Sequence, residues 1–124
     1  MAKHILIFED DIDFARPLIG ALYAAGYEPV HQLHPDAGVV DMVRFQNPSL
    51  ISFDVQMPVM DGFLAAVRVH TDPQTSHIPF IFLTSRGDSE DREHGHRLGA
   101  AAYLVKSEVG PATVIAVIHS IVGR

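Results

Sequence analysis

The chain has 124 residues, 48% of them hydrophobic, with a formal net charge of -6 and no cysteine. That length suits a single domain over residues 1–124, with enough apolar side chain for a core and a composition far from disorder. Disulfides and thiolate zinc sites are excluded, no apolar run approaches the roughly 18 residues of a membrane span, and the negative charge opposes direct binding to a phosphate backbone.

Met1-Ala2-Lys3-His4 leads straight into an apolar run without the pattern of a signal peptide, so a cytoplasmic protein is expected. Residues 4–8 predict the first strand. A helix follows, with Phe14, Leu18, Leu22 and Ala25 on one stripe, Asp11 or Asp13 as its cap and Gly26 at its close. Pro17 and Gly20 predict a bend or imperfection in its first turns. Further strands are expected at 28–32, 50–53, 79–83 and 101–105, and further helices at 36–45, 62–70, 89–98 and 111–122, the last with Pro111 in its first position. The first, third and fourth strands are continuous apolar runs, as in strands buried on both faces. Five such β/α units predict an α/β fold: a doubly wound, five-stranded parallel sheet with five helices, a three-layer sandwich of flavodoxin-like architecture.

In such a sheet, ligands gather beyond the carboxyl ends of the strands. Glu9-Asp10-Asp11 follows the first strand, Asp54 the third, Thr84-Ser85 the fourth and Lys106 the fifth. If these converge, Glu9, Asp10 and Asp54 crowd three carboxylates together, which calls for a cation. Oxygen ligands alone suit magnesium. Lys106 adds positive charge and Thr84 a hydroxyl, making a site for a tetrahedral anion beside a carboxylate nucleophile able to form an aspartyl-phosphate. A lone acid in such a loop is usually a helix cap or a solvated charge. Four strand ends with complementary groups favour the functional reading.

The pieces Ile5-Leu6-Ile7-Phe8-Glu9-Asp10-Asp11, Asp54-Val55-Gln56-Met57-Pro58-Val59-Met60-Asp61-Gly62, Phe82-Leu83-Thr84-Ser85 and Gly99-Ala100-Ala101-Ala102-Tyr103-Leu104-Val105-Lys106 occur in this order. In them the chain resembles the receiver domains of two-component response regulators (CheY-like) along essentially its whole length. The resemblance implies that Asp54 is the phosphoacceptor. It implies Mg2+ held by Asp10, Asp54 and the Gln56 backbone carbonyl, with Glu9 acting through a water. Thr84 and Lys106 would hold the phosphoryl oxygens, and Thr84 with Tyr103 would form the switch. The implied phosphoryl donor is a histidine kinase or histidine phosphotransfer protein, or a small acyl phosphate. The implied output is a downstream effector protein or domain, or self-association through the fourth helix, fifth strand and fifth helix, with no nucleic acid or membrane bound directly. The protein would then be no enzyme beyond its own phosphorylation and dephosphorylation.

Two residues depart from the family's pattern. Ser107 stands where a proline joined by a cis peptide usually follows the lysine, and a cis bond before a non-proline costs about 2.5–4 kcal/mol. Ser85 stands where alanine is common. Two other readings compete: an aspartyl-nucleophile phosphatase-like hydrolase, for which the chain has no length to spare for a cap, and a pseudo-receiver that only binds partners. Asp11-Ile12-Asp13 lacks the turn a haloacid-dehalogenase-like phosphatase needs, and no hydroxyl- and glycine-rich loop follows the first strand as in flavodoxin itself.

Of the eight histidines, the pairs His31/His34 and His94/His96 lack convincing partner ligands and read as surface residues. Met57 and Met60 read as loop packing. The helix at 89–98 has almost no apolar stripe and carries Gly95 inside, which predicts the softest element of the fold. The last helix carries a core stripe of Val114, Ile115, Ile118, Ile121 and Val122. Its opposite face, Ala112, Thr113, Ala116, Val117 and Ser120, has no charge and is read evenly as plain surface or contact surface.

Overall fold

The structure is a computed structural model in which residues 2–123 are described. Met1, the first residue of the leaderless start expected above, and Arg124 lie outside them. Strands β1 (His4–Phe8), β2 (Glu28–Gln32), β3 (Leu50–Phe53), β4 (Phe80–Thr84) and β5 (Ala102–Val105) alternate with helices α1 (Ile12–Ala24), α2 (Val39–Gln46), α3 (Gly62–Thr71), α4 (Ser89–Arg97) and α5 (Pro111–Val122). The strands form one parallel sheet in the order β2-β1-β3-β4-β5. The expected architecture is the one observed, and most boundaries differ from those expected by a residue at most, the margin by which frayed ends normally vary.

The core lies on both faces of the sheet because successive strand side chains alternate. On β1, Leu6 and Phe8 join the cluster of Val39 and Val43 from α2 and Ala65, Ala66 and Val69 from α3. Ile5 and Ile7 face the other way, onto Leu18 and Leu22 of α1 and Val114 and Ile118 of α5. This two-sided burial is why the central strands are almost wholly apolar, with Ser52 in β3 and Thr84 at the end of β4 the buried polar exceptions. No helix among the described residues is long and apolar enough to cross a membrane.

Helix α1 is capped by Asp11, whose carboxylate accepts from the Phe14 N–H at 3.2 Å, rather than by Asp13. It runs unbroken through Pro17 and Gly20. Gly26, at φ +91°, closes it: its N–H reaches the Tyr23 carbonyl and the Tyr27 N–H the Leu22 carbonyl, which satisfies the last turn.

Helix α2 begins three residues later than expected. Asp36 is a turn residue: its carboxylate accepts from the Gly38 N–H at 2.8 Å and its carbonyl from the Val39 N–H at 3.0 Å. An aspartate makes this local bond as readily as a helix cap. Asn47, in the left-handed region at φ 46°, ends α2.

Candidate functional site

The strand order reverses at β1, so the crevice of the sheet opens between the ends of β1 and β3. Register places Phe8 beside Phe53, so Glu9 and Asp54 leave the sheet at one level. Both stay tethered to it, the Asp54 N–H donating to the Phe8 carbonyl (3.2 Å) and the Glu9 N–H to the Gln32 carbonyl (3.0 Å). Register also pairs Thr84 with Val105, which brings Lys106 out one residue later.

The loop after β3 is packed tightly. Asp61 caps α3 through the Leu64 N–H (2.9 Å), and the Gly62 N–H donates to the Val55 carbonyl (2.8 Å). A side chain on Gly62 would have its Cβ 1.8 Å from the Asp54 carbonyl oxygen, so only glycine lets α3 start against the backbone of Asp54. Met60 is buried in the core and Met57 packs against it, as expected of loop packing. Val59 projects into solvent at φ +72°, uncommon for a β-branched residue, with the Met60 N–H folded back onto the Pro58 carbonyl.

Glu9 is 2% exposed, Asp54 5% and Thr84 not at all, whereas Asp10 is exposed at the mouth of the crevice. Lys106 Nζ donates to Glu9 Oε2 and to Asp54 Oδ2, both at 2.9 Å, and lies 4.7 Å from the centre of the Phe14 ring. Lys106 reaches the acids although no peptide bond among the described residues is cis. Residues Lys106–Glu108 form a short 3₁₀ turn. Burial, and then the charge of Asp54, push Glu9 up to about 7 against the pull of Lys106 and the Asp11 N–H. Burial draws Lys106 down, but its hydrogen bonds to Glu9 and Asp54 outweigh that and hold it above the ordinary lysine value.

Glu9, Asp10 and Asp54 each offer a carboxylate oxygen within 4.8 Å of the others. Asp54 Oδ1 is buried without a hydrogen-bond partner. A carboxylate oxygen left so among other acids is costly unless a cation takes it up. The donor set is all oxygen, which suits a hard divalent ion such as magnesium that retains several waters. These residues fit such an ion. Gln56 lies exposed in the same loop, two residues beyond Asp54, and Ser85 is exposed beside Thr84. Among the described residues no metal-competent cluster includes a histidine. His31 Nε2 instead bonds to the Glu9 carbonyl at 2.7 Å, and His94 stacks edge-on against Phe63, their ring centres 4.5 Å apart.

Thr84 Oγ1 accepts from the Arg86 N–H (3.2 Å), and the Tyr103 hydroxyl donates to the Arg86 carbonyl (2.6 Å). Both side chains therefore hold one residue of the β4–α4 loop. The Tyr103 ring is buried beneath α4, and burial, then the charges of Asp91 and Asp88, push its phenol up to about 12. Gly95 is what admits it: a Cβ there would lie 2.6 Å from Tyr103 Cδ2 and 3.1 Å from Phe82 Cδ2. Softness alone does not account for this glycine, which is the only buried residue of α4. Gly95→Ala is expected to drive Tyr103 out from under the helix and lose its bond to Arg86. Helix propensity would return about 1 kcal/mol of a crowding cost of about 1–3 kcal/mol. A spectrophotometric tyrosine titration checks this: one of the three phenols should fall from about 12 toward the ordinary 10. An unchanged titration would mean that the ring keeps its place.

The family model described as the response regulator receiver domain matches residues 5–119. A gliding motility regulatory protein of Myxococcus xanthus is 38% identical over 105 residues, 85% of this chain but only 14% of that relative's length. A putative response regulator from Chloroflexus aurantiacus superposes with a TM-score of 0.89 at 28% identity, each chain covered in full. The response regulator Rcp1, solved in its Mn2+-bound form, gives a TM-score of 0.75 at 25% identity, with 95% of this chain and 92% of that one covered.

Proposed function

Because this chain belongs to the response regulator receiver family, we propose that it is a cytoplasmic, phosphorylation-driven switch in which Asp54 accepts the phosphoryl group. The observation that carries this is the Asp54 carboxylate itself: buried at the end of a central strand, one oxygen on Lys106 and the other without a partner beside Glu9 and Asp10.

The free oxygen and the acid pair are where a divalent ion would bind, held by Asp10, Asp54 and the Gln56 carbonyl with Glu9 behind. When bound, the ion neutralises the acids and the incoming phosphoryl charge. The chain's own groups do the rest. Asp54 is held by its backbone at the sheet edge, ready to attack phosphorus in line, while the bond to the donor's leaving group breaks. Lys106 and the Thr84 hydroxyl take the phosphoryl oxygens. Drawing the Thr84 hydroxyl to the phosphoryl group removes it from the Arg86 N–H, and the same Arg86 carries the Tyr103 hydroxyl on its carbonyl. The switch thus runs from Asp54 through Thr84 and Arg86 to Tyr103 and α4.

The donor is a histidine kinase or histidine phosphotransfer protein. The output is an effector protein or domain, or self-association, through α4, β5 and the uncharged face of α5, where Ala112, Thr113, Ala116 and Ser120 are exposed. The family assignment displaces the phosphatase-like reading, and the retained acids, Thr84 and Lys106 speak against an inert pseudo-receiver.

Incubation with a small acyl phosphate and magnesium is expected to add one phosphoryl group, mapped by mass to Asp54. Asp10→Ala should weaken magnesium binding and slow that labelling. A label on another residue, or an Asp10→Ala variant as fast and as tight as the parent, would overturn the assignment.

A further inference from the structure

We propose that Arg92 is a positioning residue for Lys106, holding the turn that carries it through a two-pronged grip on the Gly87 carbonyl and the Glu108 carboxylate. The inference rests on the reading of Asp54 as phosphoacceptor and extends it to a residue outside the site.

Lys106 sits at the start of a three-residue 3₁₀ turn with no buried residue and no side-chain cap. Ser107, in the middle of the turn, supplies no ring to stiffen the backbone. Val105 is fixed by its pairing with Thr84 and the Lys106 ammonium by Glu9 and Asp54, which leaves the turn between them to be held from outside. Glu108 ends the turn, and its Oε2 accepts from Arg92 Nη2 at 2.7 Å. Arg92 Nε donates at the same time to the Gly87 carbonyl at 2.8 Å. The rigid guanidinium plane thus joins α4, the β4–α4 loop and the turn after β5 at a fixed spacing. Gly87 completes the contact: a Cβ on it would lie 3.1 Å from Val105 Cγ1, on the residue just before Lys106, and 3.5 Å from Arg92 Nη2.

The geometry separates positioning from stability. Arg92 and Glu108 side chains are 37% and 55% exposed, and an ion pair that open to solvent adds little to folding. Lys106 is different, since its ammonium lies between two buried carboxylates, where small displacements change both what it stabilises and what it blocks. A loosened Lys106 stabilises an arriving phosphoryl group less well. It also competes less with a divalent cation for Glu9 and Asp54. The two effects have opposite signs, and a general loosening of the domain would not produce that pattern. Lysine at position 92 keeps the charge but not the planar fork.

The test uses Arg92→Gln, Glu108→Ala, the double variant and Arg92→Lys. Magnesium affinity, the rate of labelling by a small acyl phosphate at saturating magnesium, and the urea midpoint are measured for each. Arg92→Gln and Glu108→Ala are each expected to label about tenfold more slowly, within the roughly hundredfold that a 1 Å misplacement can cost. They should bind magnesium severalfold more tightly at an unchanged midpoint. The double variant should be no slower than the slower single, since both break one linkage, and Arg92→Lys should recover only part of the rate. Unchanged rates and affinities, affinity falling together with rate, or full recovery in Arg92→Lys would each overturn the proposal. If the parent protein takes no label on Asp54, the phosphoacceptor reading fails separately. The magnesium titration then still decides on Arg92: tighter binding in the variants supports its hold on Lys106, and unchanged binding refutes it.

Discussion

Asp54→Asn is expected to abolish labelling by a small acyl phosphate altogether while leaving the fold intact. The amide keeps the shape of the carboxylate but is not a nucleophile toward phosphorus, and no other carboxylate shares its position. Asp10 is exposed and Glu9 is engaged at both oxygens by Lys106. The same substitution has a second, pH-dependent signature. Glu9 stands at about 7 instead of its ordinary 4.5, through burial first and the Asp54 charge after it. An acid raised on folding contributes stability that is present in full below about 4.5 and is lost as pH rises through about 7. Removing the Asp54 charge lowers the Glu9 value and so reduces that loss. In magnesium-free buffer, the stability of Asp54→Asn relative to the parent should therefore be more favourable at pH 8 than at pH 4.5. Urea midpoints at the two pH values check it, and a relative stability that runs the other way would show that Asp54 does not face Glu9 as a charge. Persistent labelling of the variant would remove Asp54 from the centre of the mechanism.

The strands were legible because burial on both faces leaves a mark in sequence: Ile5-Leu6-Ile7-Phe8 is wholly apolar, Leu50-Ile51-Ser52-Phe53 is apolar but for one small serine, and each is followed by an acid where the strand ends. The convergence of Glu9, Asp10, Asp54 and Lys106 was legible for a related reason, since parallel strands deliver their last residues to one edge. The start of α2 was not. An aspartate before an apolar run looks like a cap, and only the fold shows Asp36 spending its carboxylate on Gly38. Gly95 stood out in the sequence but was read as weakness. Its reason, room for the Tyr103 ring, depends on a strand brought under the helix by tertiary structure. Arg92 left no signal at all, because Gly87 and Glu108 become its partners only when α4 and the exit of β5 come together. Local chemistry and periodicity can be read along the chain, whereas contacts set by packing cannot.

The strongest such contact is at Gly62, and Gly62→Ala is expected to be the most destabilising single methyl addition in the domain. The reason is room and not backbone freedom, since Gly62 is absent from the glycines with positive φ. The added Cβ would meet the Asp54 carbonyl oxygen at 1.8 Å, the Asp54 carbonyl carbon at 2.8 Å and Val55 Cα at 3.1 Å, all backbone. No side chain is there to rotate away, so α3 must lift from the end of β3, breaking the Gly62 N–H bond to Val55 and shifting the Asp61 cap. Overpacking costs about 1–3 kcal/mol where side chains can yield and more where they cannot. A loss above about 3 kcal/mol is a large part of the 5–15 kcal/mol that holds a typical domain. Alanine's better helix propensity, about 1 kcal/mol, does not offset this at the first residue of a helix. Gly20→Ala is the control: it lies within α1 with nothing within 4 Å of its Cβ, and there the same methyl should stabilise by about 0.5–1 kcal/mol. Urea midpoints of the two variants should therefore move in opposite directions, and any Gly62→Ala that still folds should label Asp54 poorly because its carbonyl has been displaced. Two midpoints that both rise would mean that α3 does not begin against the backbone of Asp54.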